Sequence, residues 1–271
     1  MKFAGVVIAF ALLFFPQEGN NLDVITLNRM LCPLEGTARS EDIRDLNQNK
    51  SRYHFPVASD IDPTVTLTSM IAPGDDEDRF DVKSAATVVG FVLEVQRGGI
   101  ETCNCGATKP DERDTHIALT LSSMLPTDPD AKKQSVVAEV SPRTRILQKQ
   151  KTGQNNWTTE ALRGGIQGKW VEITGWLLFD FEHIDAAENT NPGNPSNWRA
   201  TCWEIHPVMS IKVLDGPPGG AFQLAPSAIT AFQRSHAAHV DSLPGRRRFV
   251  NRRNAKLRSR FAEDEHDEGN H

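Results

Sequence analysis

Carboxylates, histidines and a thiol alternate in two short stretches of the sequence. Asp114 and His116 are two residues apart, and Cys202, Glu204 and His206 repeat that spacing. Side chains two residues apart in an extended strand project from the same face, so each stretch presents its polar groups together. Imidazole and carboxylate groups can transfer protons to or from a substrate. The candidate catalytic residues are therefore Asp114, His116, Glu204 and His206.

A third histidine, His183, occurs in the connection between two predicted strands. With His116 and His206 it would complete a set of three imidazoles, which suits Zn²⁺ with one position left open for water. This interpretation predicts a metal-dependent hydrolase, such as a nuclease acting on a phosphodiester. The competing interpretation is that each histidine is structural or solvent-exposed.

The chain contains four cysteines, Cys32, Cys103, Cys105 and Cys202. An even number in an exported chain permits disulfides, and two bridges could be paired in about three ways. A bond between Cys103 and Cys105 themselves would be strained, so each is expected to pair elsewhere or to stay free. Metal binding by these thiols is the alternative, although zinc sites usually separate their cysteines by about two to four residues.

Period-two hydrophobic patterns predict five strands from Ala85 onward. The strands fall at about 85–97, 115–121, 135–140, 168–180 and 201–214, and a helical stretch at 142–165 separates the third from the fourth. This order is that of a mainly β, five-stranded OB-like barrel with a helix between strands 3 and 4. A β-sandwich built from the same strands is the alternative. The buried face of the first strand is predicted to carry Val89, Phe91, Leu93 and Val95.

OB barrels bind ligands between the loop that joins strands 1 and 2 and the loop that joins strands 4 and 5. In this chain those loops, 98–113 and 180–199, are longer than a hairpin needs, and long loops in compact domains tend to be functional. An exposed Trp198 beside Arg199 could stack on a base or a sugar ring. The leading hypothesis is a binding module that holds nucleic acid or oligosaccharide between the two loops. The candidate ligand-binding residues are Asn104, His183, Asn197, Trp198 and Arg199.

The charge balance argues against binding of DNA through its backbone alone. The formal net charge is −5, and residues 88–214 contain 13 Lys and Arg against 15 Asp and Glu. Proteins that bind phosphates without sequence preference usually have a surplus of positive charge.

The N-terminus has the pattern of an export signal. Lys2 precedes an apolar run from Phe3 to Phe15 that ends at Pro16. Thirteen helical residues span only about 20 Å, short of the roughly 30 Å hydrocarbon core, so 1–19 is predicted to be a signal peptide rather than a membrane span. Export to the periplasm or the extracellular space follows. Residues 20–87 are then a lead-in with one short helix and a solvated acidic loop, and 88–214 form the barrel.

The last part of the chain, 215–271, is predicted to be a disordered linker and tail. A Gly- and Pro-rich linker is followed by a basic stretch at 246–260 and an acidic end, and like-charged blocks with few apolar residues rarely fold alone. The basic stretch could contact an anionic partner. A structural role in an envelope assembly, with docking through this tail, is the third functional hypothesis.

Four motifs in the barrel region resemble those of a group of uncharacterised bacterial secreted proteins. They are Cys103-Asn104-Cys105, Arg113-Asp114-Thr115-His116-Ile117, GWLLFD at 175–180 and NWRATCWEIHP at 197–207. The likeness covers about residues 30–214 and implies no particular activity. A more distant similarity to exported OB-fold nucleases concerns the fold only, which is weak support for a function.

Overall fold

Five strands close into a barrel in the computed structural model, which describes residues 32–217 except positions 129 and 155. The strands are β1 (Ala85–Arg97), β2 (Thr115–Thr120), β3 (Val136–Val140), β4 (Trp170–Phe179) and β5 (Trp203–Leu214). Their order around the barrel is β1-β2-β3-β5-β4, and β4 pairs back to β1. The β3–β5 pair is parallel and the other pairs are antiparallel. The predicted OB-like topology is confirmed.

Helices lie before the barrel and between its third and fourth strands. They are α1 (Glu41–Lys50), α2 (Leu67–Ile71), α3 (Pro142–Thr152) and α4 (Thr159–Ile166). Ser40, Ser141 and Thr158 accept hydrogen bonds from backbone N–H groups at the starts of α1, α3 and α4, which satisfies donors that a helix leaves unpaired. Trp157 and Leu162 join the barrel core, so the helical stretch between β3 and β4 closes part of that core.

The inward face of β1 differs from the prediction in its first half. Val88 and Val92 lie in the core, whereas Val89 and Phe91 are only half-buried on the outside. The register of β1 against β2 shifts between Val92 and Glu94, and such a bulge moves the following residues to the opposite face. Val95 is therefore buried in the core, as predicted, although it does not continue the alternation of Val88 and Val92.

The lead-in packs against the barrel over much of its described length. Val65, Leu67 and Met70 belong to the barrel core. Arg52 donates hydrogen bonds to the carbonyl oxygens of Val82 (2.7 Å), Leu177 (2.7 Å) and His206 (3.2 Å), and these bonds tie the segment after α1 to β4 and β5.

The prediction that the acidic run 74–78 is a solvated loop is wrong for Asp76. Its side chain is fully buried, and its Oδ2 accepts hydrogen bonds from Thr201 Oγ1 at 2.7 Å and from the Cys202 backbone N–H at 2.9 Å. The Asp76 backbone carbonyl accepts from Trp203 Nε1 at 2.6 Å. The run therefore anchors the start of β5, because one of its carboxylates satisfies buried donors there.

The predicted signal peptide at 1–19 and the basic stretch at 246–260 lie outside the described residues. Within 32–217, none of the helices combines the length and the apolar character that a membrane crossing requires.

Candidate functional site

A cluster of ionisable side chains lies on the outer face of β2, β3 and β5. His116 on β2 is the pairing partner of Glu139 on β3, and the neighbouring residues Ile117 and Ala138 face the core. On the parallel strand β5, Glu204 and His206 flank the core residue Ile205 and therefore share this outer face. The alternation seen in the sequence thus brings three of the four candidate catalytic residues onto one surface, and Asp114 joins them from the residue before β2.

The lead-in and the loop after β1 cover this face. A short 3₁₀ turn, Thr102–Asn104, lies against α1, where Asn47 Nδ2 donates to Thr102 Oγ1 at 3.0 Å. A disulfide joins Cys32 to Cys105, so the turn is linked covalently to the start of the lead-in. Asn104 Nδ2 donates to Asp114 Oδ2 at 2.9 Å. The predicted ligand residue Asn104 is consequently part of the cover over the cluster.

Lys50 brings the two long loops together. Its Nζ lies 3.0 Å from Glu101 Oε2 in the first loop, 3.0 Å from Asp180 Oδ2 and 3.5 Å from Glu182 Oε2 at the start of the second. Burial alone would lower the pKa of Lys50, but these carboxylates, with Asp180 first, outweigh it and hold the pKa well above its ordinary value. The convergence of the loops expected from the sequence is therefore mediated by a buried ammonium group.

The most deeply buried part of the cluster consists of Asp114, Glu139 and His206. One donor atom from each lies within 4.8 Å of the others, and their exposures are 1%, 2% and 0%. Asp114 Oδ1 and His206 Nε2 have no hydrogen-bond partner among the described residues, whereas Glu139 Oε2 lies 3.5 Å from His206 Nδ1. Buried polar atoms are normally satisfied, so two such atoms in one buried group are unusual.

Burial and neighbouring charges perturb the titration of this cluster. Burial raises the pKa of Asp114 to about 6, and the nearby carboxylates of Glu101 and Glu139 add to the effect. Burial alone would lower the pKa of His116, but Glu139, whose Oε1 lies 3.1 Å from His116 Nε2, raises it to about 9. His116 is therefore an imidazolium at neutral pH, while Asp114 gives up its proton with difficulty.

Arg199 is placed differently from the sequence expectation of an exposed Trp198–Arg199 pair. Its side chain is fully buried, with Nη1 2.6 Å from Glu204 Oε1. Burial alone would raise the pKa of Glu204, but the guanidinium outweighs it and lowers the pKa to about 2. Arg199 is not available to a surface ligand, because Glu204 and the barrel enclose it. Trp198 is half-buried, with the Arg199 Cζ 5.3 Å from its ring centre.

His183 and Asn197 stabilise the second long loop. His183 Nδ1 lies 3.2 Å from Asp180 Oδ2, and the His183 ring meets the Trp198 ring edge-on at 5.2 Å. Asn197 is buried, and its Nδ2 donates to Glu188 Oε2 at 2.8 Å and to the carbonyl oxygen of Asn191 at 2.6 Å. Both predicted ligand residues therefore have structural contacts within the loop.

The three histidines do not form one set of metal ligands. They fall in three groups of closely spaced donors: Glu101, His116 and Glu139; Asp114, Glu139 and His206; and Asp180, His183 and Glu204. The predicted arrangement of His116, His183 and His206 around one ion is therefore replaced by separate histidine–carboxylate groups, of which the first two share Glu139.

Cys103 and Cys202 are free and buried. Burial raises the pKa of the Cys103 thiol well above its usual value, and Asp114 and Glu101 add to this. Burial likewise raises the pKa of Cys202 to about 12. Of the four candidate cysteines, the disulfide uses only Cys32 and Cys105.

A surface depression lies beside the cluster, on the outer face of β1, β2 and β3. It is shallow, with a cavity volume of about 20 Å³, and we refer to it as the Trp198 depression. Lys132 Nζ and Glu94 Oε2 form an ion pair of 2.7 Å at its edge. The lining side chains include Glu94, Gln96, His116, Lys132, Ser135 and Trp198.

Several cluster residues were not predicted from the sequence. Glu139 alternates with the core residues Ala138 and Val140, so period-two spacing in β3 would have placed it on the outer face. Three further residues of the cluster lie at the ends of elements or in loops, where no periodic pattern indicates which side chains are buried. They are Lys50, Glu101 and Asp180.

A comparison of the sequence with known protein families and with curated proteins finds no match.

Proposed function

We propose that the chain is an exported OB-like binding module that holds an oligosaccharide in the Trp198 depression. The observation that carries this proposal is the position of the half-buried Trp198 ring beside Gln96, Ser135 and His116 on the outer face of the barrel. An aromatic face with a few convergent polar groups is the usual composition of a small-ligand site. This face is also the one on which OB barrels bind ligands.

The charges around the depression favour a neutral ligand over nucleic acid. Lys132 is paired with Glu94 at 2.7 Å, and the His116 imidazolium is paired with Glu139 at 3.1 Å. Neither positive charge is left over for a phosphate. Sites for single-stranded nucleic acid combine stacking rings with a positively charged groove, and the second of these features is missing from the described lining.

The position of the depression refines the expected ligand site. Trp198 lies in the second long loop. The other residues that line the depression lie on or beside β1, β2 and β3. The ligand is therefore proposed to lie on the sheet face beside that loop. The first long loop instead covers the neighbouring cluster through Asn104.

Catalysis by Asp114, His116, Glu204 and His206 is less well supported than binding. Asp114 is 1% exposed, and Glu204 and His206 are completely buried. A catalytic acid or base must come within hydrogen-bond reach of its substrate, and only His116 borders the depression. We therefore do not propose the hydrolase. The export of the chain is part of the proposal, and the Cys32–Cys105 disulfide is consistent with an oxidising compartment.

Titration of the full chain with cello- and chito-oligosaccharides and with oligothymidylate, followed by tryptophan fluorescence and calorimetry, tests this proposal. We expect saturable binding of an oligosaccharide and a loss of affinity of about tenfold or more in Trp198→Ala, if a sugar face contributes as much as a base stacked on an aromatic ring, about 1–3 kcal/mol. Trp170→Ala is the matched control, because Trp170 packs on Phe91 and lies outside the depression lining. Equal losses in both variants, or salt-sensitive retention of oligothymidylate alone, would contradict the proposal.

A further inference from the structure

We propose that Asp114, Glu139 and His206 form a binding site for a divalent transition-metal ion, with Zn²⁺ as the best-fitting metal. The three donor atoms lie within 4.8 Å of one another. In tetrahedral coordination, zinc bonds of about 2.0–2.2 Å place two ligands about 3.3–3.6 Å apart. The three donor atoms therefore need to approach one another by at most about 1.5 Å.

Unsatisfied buried atoms point to a ligand at this position. Asp114 Oδ1 and His206 Nε2 are without a hydrogen-bond partner among the described residues, and their side chains are at least nine-tenths buried. Buried polar atoms are costly unless they are hydrogen-bonded or coordinate a metal. One ion would satisfy an atom on each of the three residues.

His206 is held in the way that metal-binding histidines usually are. Its Nδ1 lies 3.3 Å from Glu204 Oε2, and Glu204 is held in turn by Arg199 at 2.6 Å. A ligating histidine almost always donates its second ring N–H to a carboxylate or carbonyl, which fixes the tautomer and the ring orientation. Nδ1 faces Glu204 Oε2 at 3.3 Å and Glu139 Oε2 at 3.5 Å. Nε2 has no partner among the described residues, so it is the nitrogen that remains for an ion.

The charge of the surrounding cluster favours a cation. Two fixed cations, Lys50 and Arg199, and the imidazolium of His116 face six carboxyl groups. These carboxyl groups are those of Glu101, Asp114, Glu139, Asp180, Glu182 and Glu204. An ion of charge +2 reduces this imbalance without requiring every histidine to take up a proton.

The donor set selects the class of metal. Two carboxylate oxygens with one imidazole nitrogen suit Zn²⁺ or a similar first-row ion, whereas Ca²⁺ and Mg²⁺ prefer ligand sets made of oxygen alone. Glu101 and His116 share Glu139 with this group, and their side chains are 21% and 14% exposed. These two residues connect the buried group to the surface, and we infer that an ion enters between them.

Calorimetric titration of tag-free, metal-stripped full chain with zinc chloride tests the site. We expect an event with a stoichiometry of one, and a rise in melting temperature that depends on zinc concentration. Asp114→Asn is expected to lower the affinity by about 100-fold. Glu204→Gln, which changes the group that orients His206 and that also pairs with Arg199, is expected to lower it by about 10- to 100-fold. His183→Gln, a matched change in the neighbouring histidine group, is expected to leave the affinity unchanged.

Three outcomes of the zinc titration would overturn the proposal. The first is a wild-type chain that binds no zinc. The second is Asp114→Asn that binds as well as the wild type, since the zinc would then belong to other residues, such as the tail histidines His236, His239, His266 and His271. The third is a loss in His183→Gln as large as that in Asp114→Asn, which would move the site to Asp180, His183 and Glu204.

Cobalt substitution of the wild-type chain decides the question if the variants fail to fold. Co²⁺ bound to oxygen and nitrogen ligands gives visible d–d absorption, and we expect this without a strong thiolate charge-transfer band. A strong thiolate band would place the ion on Cys103, whose Sγ lies 3.8 Å from Asp114 Oδ2, and would contradict the proposed ligand set. Absence of cobalt binding would contradict it as well.

Discussion

Lys50 Nζ lies 3.0 Å from Asp180 Oδ2, and neither side chain is more than 3% exposed. Lys50 is the last residue of α1, and Asp180 directly follows β4. The pair therefore connects the lead-in to the barrel at the base of the second long loop. His183 Nδ1 lies 3.2 Å from the same Asp180 oxygen and its ring contacts Trp198, so the ammonium group also supports the wall of the depression.

Replacement of Lys50 by methionine is expected to destabilise the protein strongly. The change keeps most of the side-chain volume but leaves Asp180 and Glu101 without their buried cation, and breaking a buried ion pair by removing one partner costs about 3–5 kcal/mol. Urea denaturation gives the free energy of unfolding. Lys109→Met is the control, because the Lys109–Glu112 pair is 76% and 46% exposed and should contribute about 1 kcal/mol or less. Equal losses in both variants would show that burial of the Lys50 pair has no energetic consequence.

The stability contributed by the Lys50–Asp180 pair should decrease at both low and high pH. Burial alone would raise the pKa of Asp180, but Lys50 and then His183 outweigh it, so the pKa lies well below its ordinary value. A carboxyl group whose pKa is lower in the folded state stabilises the protein at pH values above its unfolded-state pKa of about 3.9. This stabilisation is lost as the pH falls toward the folded-state pKa. The pKa of Lys50 is raised, so its contribution is complete below about 10.4 and is lost as the pH rises through the folded value.

Unfolding of the wild type and Lys50→Met over a range of pH measures this dependence. We expect the difference in free energy to be largest near neutral pH and to shrink toward acid and toward strong base. The decrease in acid begins near the pKa of Asp114, about 6, because the ammonium group of Lys50 also lowers that pKa. A difference that grew in acid would contradict the assignment of the low pKa to Asp180.

The two free thiols should resist alkylation in the folded protein. Cys103 and Cys202 are buried, and burial raises the pKa of each thiol, so neither the accessibility nor the thiolate that the reaction needs is present. Mass spectrometry after iodoacetamide treatment should show modification of these two cysteines only after denaturation. Cys32 and Cys105 should be modified only after reduction as well. Native modification of Cys103 would show that the turn Thr102–Asn104 opens readily.

Alanine at Gly36 should disturb the turn that covers the cluster. Gly36 has φ +64°, and an added Cβ would lie 1.9 Å from the carbonyl oxygen of Thr102. Gly106 has a similar φ of +67° with open space around its Cβ position, so Gly106→Ala isolates the backbone cost of about 1–2 kcal/mol. We expect Gly36→Ala to lower the melting temperature clearly more than Gly106→Ala. Similar losses would mean that the chain near Thr102 moves away at little cost.

The barrel was predictable because each strand has a period-two hydrophobic pattern. This pattern can be recognised without knowing which strands pair with one another. Alternation around Ile117 and Ile205 identified β2 and β5 and placed His116 and His206 on the outer face. The same reasoning failed in β1, because the bulge between Val92 and Glu94 reverses the alternation of inward and outward side chains. No single residue type in the sequence indicates this bulge. Register shifts depend on the neighbouring strand, which the local sequence does not contain.

The site was predictable only in part, for a related reason. Residue types and spacing identified Asp114, Glu204 and His206, which the barrel brings together. The burial of this face depends on a segment more than fifty positions away from it in the sequence, where Lys50 ends α1. Arg199 resembles a surface residue in a polar loop, and only the position of Glu204 shows that its guanidinium is enclosed.

The anchoring of Asp76 and Arg52 determines where an autonomous folding unit can begin. A fragment cut at the start of β1 would lack the Arg52 donors to the carbonyl oxygens of Leu177 and His206. It would also lack the Asp76 acceptors for the Cys202 backbone and the Trp203 indole. Truncation to the barrel alone would therefore leave hydrogen-bonding groups in and next to β4 and β5 without partners. The lead-in is thus an integral part of the fold and not a removable extension.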